Sequence, residues 1–258
     1  MTTLGGSRTT VLDRRVPIDQ DRDVLTASMG LPLGTSDVLI PSPLLMVRNE
    51  ALLAKAGLDV GDKGAVKWAR YLLNRDIARR MAVRFIASVH PMESEGFIPR
   101  VRGDYSVVED TLALPRVRVV GCVEHAVNGD DAFAKILKLD PEQFVVVEGD
   151  LPSACVDGSG TALFTEYTDQ AVTIAATGPG ALVVADTWYP GWVTTLDGAE
   201  VPILRADLIY RAVQLPAGDH VVEMRYQPTR IWLLMVVSGL STLVAVLGAI
   251  RSKRIATS

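Results

Sequence analysis

Histidine and cysteine are scarce in this 258-residue chain, with three of the first and two of the second. His90, His125 and His220 are isolated, without ligand spacing. Cys122 and Cys155 have neither CxxC spacing nor a neighbouring ligand cluster, which argues against a zinc site. A basic run is missing too. Lys and Arg number 26 against 30 Asp and Glu, for a net charge of −4, and no aromatic-basic interleaving occurs, so nucleic acid is not an expected partner. Residues 157–161 (DGSGT), with Ser153 before them and Gly158, Ser159 and Gly160 among them, match neither a nucleophile elbow nor a phosphate loop and read as a loop between strands. The start of the chain has no apolar h-region and no cleavage site, so no secretory signal is visible. No cofactor is expected.

Charge is also missing from one long segment, Ile231 to Ile250 (IWLLMVVSGLSTLVAVLGAI), and here the absence is informative. Its length is what a helix needs to cross the hydrocarbon core of a bilayer. Eleven of its residues are Leu, Ile or Val, which together favour insertion by about 4 kcal/mol, eroded by Ser238, Gly239, Ser241, Thr242 and Gly248. Ser238, Ser241, Thr242, Ala245, Gly248 and Ala249 fall on one helical face, where small side chains let another helix approach closely. Lipid bilayer and other membrane helices are therefore the expected partners. Arg251, Lys253 and Arg254 in the basic tail 251–258 favour a cytoplasmic C-terminus and hence an extracytoplasmic domain, whereas the missing signal favours the opposite.

The residues before the span divide by pattern. Residues 1–36 are polar and Gly/Thr-rich. Residues 37–158 read as α+β, with helices expected over Pro43–Ala56, Gly64–Arg80 and Asp130–Leu139 and strands over Met81–Val89, within Asp104–Val120 and over Gln143–Glu148. In the second helix Val66, Trp68, Tyr71, Leu72 and Ile77 suit a buried stripe, and Arg70, Arg75, Arg79 and Arg80 read as a solvated face. Residues 159–227 read as an antiparallel β-sandwich of Ig-like or jelly-roll-like type, with hairpin turns at Leu196–Ala199 and Pro216–Asp219. His220 is expected to end the second turn. Only Gln227, Pro228, Thr229 and Arg230 separate the sandwich from the span, a reach of at most about 14 Å, so it must sit close to the headgroups.

Two clusters carry candidate chemistry. Asp186, Trp188, Tyr189 and Trp192 combine aromatic faces with a carboxylate, the surface on which sugar rings stack while hydroxyls are hydrogen-bonded. The competing assignment is that the aromatics plug the sandwich end or form an interfacial belt. Asp197 with Glu200 is a weaker pair, because Asp-Gly in a hairpin needs only its turn geometry. Cys122 and Cys155 form the candidate disulfide, one that requires the domain to lie outside the cytoplasm; spacing alone does not decide it.

The ordered run Leu182-Val183-Val184-Ala185-Asp186-Thr187-Trp188-Tyr189-Pro190-Gly191-Trp192, with Asp197-Gly198, Val201-Pro202-Ile203, Arg205-Ala206, Arg211-Ala212-Val213, Pro216-Ala217-Gly218-Asp219-His220-Val221 and Arg225-Tyr226, resembles the C-terminal part of the bacterial YfhO membrane protein family. Leu114-Pro115-Arg116 and Val83-Arg84-Phe85-Ile86-Ala87 resemble its soluble segment more loosely. The resemblance implies a relative of the GT-C membrane glycosyltransferases, which use lipid-linked sugars to decorate envelope polymers. The family's N-terminal membrane helices and the loop with its catalytic acidic residue have no counterpart in this chain, so no catalytic residue carries over. The expectation is a truncated or split member. Its function would be that of a non-catalytic extracytoplasmic module at the plasma membrane, assisting the handling of an envelope glycan or lipid-linked sugar. The alternative is a tail-anchored cytoplasmic scaffold without sugar chemistry.

Overall fold

The computed structural model describes residues 8–12, 36–37, 48, 52, 59–60, 66–67, 74–88, 95–101, 106–149, 154–156, 160–227, 235 and 238–242. In chain order the strands are β1 (Arg8–Leu12), β2 (Ser36–Asp37), β3 (Asp59–Val60), β4 (Val66–Lys67), β5 (Val83–Ser88), β6 (Phe97–Val101), β7 (Ser106–Asp110), β8 (Val117–Val120), β9 (Cys122–Ala126) and β10 (Phe144–Glu148). They continue with β11 (Ala154–Cys155), β12 (Ala162–Tyr167), β13 (Ala171–Thr187), β14 (Trp192–Leu196), β15 (Ala199–Val201), β16 (Leu204–Ala206) and β17 (Tyr210–Tyr226). The short helices α1 (Arg75–Arg80) and α2 (Gly129–Ile136) lie among these strands in a predominantly β, sandwich-like α+β fold.

The two longest strands organise everything else. β13 and β17 pair antiparallel along nearly their whole lengths, and each runs for 17 residues. Arg211 and Met224 lie 13 residues apart on β17, about 43 Å if the strand were straight, yet Arg211 Nη1 is 3.9 Å from Met224 Sδ. Both strands therefore fold back on themselves. The bend falls where Gly178-Pro179-Gly180 opposes Pro216-Ala217-Gly218, and the register shifts between Gly178 and Gly180. A Cβ at Gly178 would lie 1.9 Å from the Pro216 carbonyl oxygen, so the close approach needs glycine. The hairpin expected at Pro216–Asp219 is thus a bend within one continuous strand. Proline and glycine mark the corner, but the ladder continues through it.

Folding back puts two half-sheets face to face. β8, β16 and the inner halves of β13 and β17 oppose β12, β14, β15 and the outer halves. Val172, Ile174, Leu182, Val184, Val213, Leu215, Val222 and Met224 fill the space between them. The intervening residues Ala181, Val183, Ala185 and Ala212 face the opposite way. They join a second core with Ile77, Met81, Ile86, Ile136 and Val145–Val147. Because both faces of this half-sheet are buried, its strands read as near-continuous apolar runs. β9 and β10 are parallel and joined by α2, whose N-cap is Asn128, accepting from the Asp131 amide at 3.0 Å. Strands from both sides of residue 158 share the large sheet. Cys122 and Cys155 face each other across β9 and β11 and are joined by a disulfide.

Helix α1 corrects an expectation. Val66–Lys67, placed in a long helix by periodicity, pair as a strand with Asp59–Val60, and helix is described only over Arg75–Arg80. Arg80, read as solvated, is fully buried. Its guanidinium donates to Asp207 Oδ1 at 2.8 Å, to the Phe144 carbonyl at 3.0 Å and to the Leu139 carbonyl at 2.6 Å. Arg118 Nη2 reaches the other Asp207 oxygen at 3.3 Å, and the Val146 amide donates to Asp207 Oδ1 at 3.1 Å. Asp207 lies in the three-residue turn between β16 and β17. Its φ of 43° and that of Leu208, 75°, are left-handed, and the turn tip points into the core.

Of the expected span, Met235 and residues 238–242 are described; they are helical and exposed, with Thr242 Oγ1 donating to the Ser238 carbonyl at 2.9 Å. Ala245, Gly248, Ala249 and the rest of 231–250 lie outside the described residues, as do most of the expected helix 43–56 and the tail 251–258. Among the described residues no helix is long and apolar enough to cross a membrane.

Asp207→Asn leaves two buried guanidinium groups without their carboxylate and is expected to cost about 3–5 kcal/mol in urea unfolding. The exposed Glu200→Ala should stay within about 0.5 kcal/mol.

Candidate functional site

The fold-back brings both ends of β13 and both ends of β17 together, and Asp186 sits at that convergence. Its carboxylate is buried. Arg116 holds Oδ1 through Nε at 2.8 Å and Nη2 at 2.7 Å, and Arg211 Nη2 lies 3.3 Å from Oδ2. The Tyr167 hydroxyl donates to Oδ2 at 3.2 Å and accepts from Arg116 Nη2. Burial first, and then the Asp186 charge, push the Tyr167 phenol above its ordinary value. Burial pushes the Arg211 guanidinium down.

Aromatic rings wall this node. Tyr189, Trp192 and Tyr226 form a mutual cluster with centroids 5.2–5.9 Å apart, and Arg211 lies 4.0 Å over the Trp192 ring. Trp192 Nε1 is buried without a hydrogen-bond partner. A cleft of about 250 Å³ opens among these groups, lined by Tyr167, Asp186, Thr187, Tyr189, Trp192 and Arg211, with exposed Asp169 at its rim. Trp188 is not part of it. Its amide bonds to the Ile209 carbonyl, and its ring lies under Arg205 at 4.0 Å.

Three of the four residues picked from the sequence therefore meet, but their chemistry differs from what the pattern suggested. Asp186 does not present a vacant carboxylate to hydroxyl groups, because its oxygens are engaged by arginine and tyrosine. The cleft is rich in donors instead. Arg116, Tyr167 and Arg211 were missed because they are 70, 19 and 25 residues from Asp186 in sequence. The one available signal was charge inside apolar strand patterns: Arg211 interrupts an otherwise apolar run, and such a charge needs a partner.

A second cleft, of about 540 Å³, borders the bend and contains Asp197, Asp219 and His220. His220 lies within β17 rather than ending a turn, and its Nδ1 is 2.7 Å from Asp197 Oδ2. Asp197 also accepts from the Val221 amide at 2.8 Å, while Thr177 donates to Asp219 at 2.7 Å. Asp197 and Gly198 occupy the left-handed conformations of a two-residue hairpin, and Glu200 pairs with Thr195 on the next strand. The hydrogen bond that His220 donates to Asp197 raises His220 from its ordinary 6.5, and the Val221 amide, then His220, lower Asp197 from 3.8. A larger open cleft of about 550 Å³ borders Glu109, but Arg84 and Arg100 bind that carboxylate. Among the described residues no group of three His, Cys, Asp or Glu side chains is placed to hold a metal ion.

Two outcomes follow for stability. A raised His220 stabilises fully below pH 6.5 and loses that contribution as pH rises through its folded pKa; a lowered Asp197 stabilises above pH 3.8 and loses it as pH falls through its own. The pair should therefore support the melting temperature most between those values, and His220→Gln should flatten that part of the Tm–pH profile. Trp192→Ala removes three aromatic or cation–π contacts and should cost about 3 kcal/mol in denaturant unfolding, more than Trp188→Ala, which loses one.

Comparison of the chain with protein family models, with curated proteins and with solved structures gives no match.

Proposed function

We propose that this chain is a non-catalytic, membrane-anchored module that holds an envelope glycan or lipid-linked sugar at the outer surface of the plasma membrane. It would work within a YfhO-like, glycosyltransferase-related membrane protein, on an Ig-like or jelly-roll-like sandwich. The observation that carries this reading is the position of Tyr226. It is the last residue of β17, packs on Tyr189 and Trp192 beside the Asp186 cleft, and is separated from the apolar run 231–250 by only four residues. A helix spanning from Ile231 would hold the cleft end of the sandwich at headgroup level, where tyrosine and tryptophan are favoured. Ring faces suit a saccharide there.

Other features support the location and the absence of chemistry. A disulfide between Cys122 and Cys155 persists in an oxidising compartment, and Arg251, Lys253 and Arg254 favour a cytoplasmic tail. Asp186 has its oxygens taken by Arg116, Arg211 and Tyr167, an arrangement suited to binding rather than to moving protons. The small-residue face from Ser238 to Ala249 would pack on neighbouring membrane helices.

Ala199 is exposed at the hairpin tip, and the two native cysteines are tied to each other, so Ala199→Cys offers a single reporter thiol. It should react with a membrane-impermeant maleimide in intact cells. Labelling only after lysis would place the domain in the cytoplasm and favour the scaffold alternative.

A further inference from the structure

Resting on the saccharide reading above, the geometry points to an acidic sugar, a pyranose bearing one carboxylate, as the ligand of the Asp186 cleft. The argument turns on Arg211. Its side chain is only 4% exposed and lines the cleft, yet its polar contacts are all long. Nη2 is 3.3 Å from Asp186 Oδ2, Nε is 3.4 Å from the Asp186 carbonyl, and Nη1 finds only the Met224 thioether at 3.9 Å. Arg116 binds the same carboxylate at 2.7–2.8 Å and so takes the larger share of its charge. A guanidinium is charged at every accessible pH and has five donors, so Arg211 is left under-neutralised in a low-dielectric wall. An anion entering the cleft meets that need.

The other lining groups narrow its chemistry. Tyr189 and Trp192 offer aromatic surface and Thr187 a hydroxyl. The volume, about 250 Å³, is below the roughly 300 Å³ at which drug-sized sites begin and suits one ring. A monoanion fits better than a phosphate dianion, because Asp186 lies beneath the site and Asp169 stands at its rim.

The test titrates D-glucuronate, D-glucose, glucose 1-phosphate and acetate into the full chain by calorimetry at low ionic strength, in a detergent without a sugar headgroup. Glucuronate is expected to bind at least tenfold more tightly than glucose and than acetate, and to weaken with added salt. Arg211→Gln should lose about tenfold to a hundredfold for glucuronate while leaving glucose nearly unchanged, and Asp169→Asn should tighten glucuronate. Melting curves identify any variant that fails to fold; Asp169→Asn, at an exposed site, keeps the charge argument testable if Arg211→Gln does not fold. Equal binding of glucose and glucuronate would overturn the acidic-sugar inference and leave the saccharide reading standing. Acetate binding as tightly as glucuronate would overturn both and leave a simple anion site. Glucose 1-phosphate binding more tightly than glucuronate would overturn the monoanion, and no binding of any of the four would overturn both readings.

Discussion

The buried Arg80–Asp207–Arg118 group is the constraint on which the two cores depend. It ties helix α1, strand β8, the loop leading into β10 and the β16–β17 turn to one carboxylate. Desolvating three charges is expensive, and their attraction repays that cost only when geometry and additional hydrogen bonds are good. Here the two carbonyls on Arg80 and the Val146 amide on Asp207 supply part of them, while Arg80 Nε and Arg118 Nε and Nη1 are buried without a hydrogen-bond partner. The same contacts hold two non-glycine residues, Asp207 and Leu208, at positive φ in a turn buried at its tip. Such strain, of order 1–3 kcal/mol per residue, persists only where the surroundings over-determine it. The group specifies which turn meets which helix more than it adds stability.

Doubling of arginine on one carboxylate recurs through the molecule. Asp186 has Arg116 and Arg211, Glu109 has Arg84 and Arg100, and Glu148 has Arg48 and Arg205. In Glu109 the result is a carboxyl held below its ordinary range by Arg100 and then Arg84. The pattern covers the more buried carboxylates with paired arginines and leaves carboxylates such as Asp169, Asp219 and Glu200 exposed. A net charge of −4 therefore says little about the field inside any one cleft.

The strand content of 159–227 was legible because alternation and turn residues are local signals. The Asp197-Gly198 hairpin was legible for the same reason, since two adjacent left-handed positions demand that chemistry. Pro216-Ala217-Gly218 misled because the residues that end a strand also permit a sharp bend in one; only the partner strand, with Gly178-Pro179-Gly180 opposite, decides between them. Arg80 misled for a related reason. Helical periodicity sorts residues by polarity, and an arginine whose partner lies 127 residues away has no local mark of burial. In the cleft, Asp186, Tyr189 and Trp192 lie within one short stretch and were found together, whereas Arg116, Tyr167, Arg211 and Tyr226 arrive by tertiary folding.

The bend and the cleft are two consequences of one event. Were β13 and β17 straight, Tyr167 and Asp186, or Arg211 and Trp192, would lie at opposite ends of a long ribbon. Folding at Gly178 and Gly218 superposes those ends, closes the core between the half-sheets, and gathers the last charged and aromatic side chains into one cluster at its edge. A sandwich end must be capped or left open. Here Arg211 and Asp186 cap the apolar core while Tyr189, Trp192 and Tyr226 leave a recess above them. Because Tyr226 also ends β17, the direction in which the chain departs is set by the same strand that forms the recess. The bend at residues 178–180 and 216–218 is thus a positioning element for a site at the far end of the domain, coupled to it through the continuous β13–β17 ladder rather than through any contact of its own.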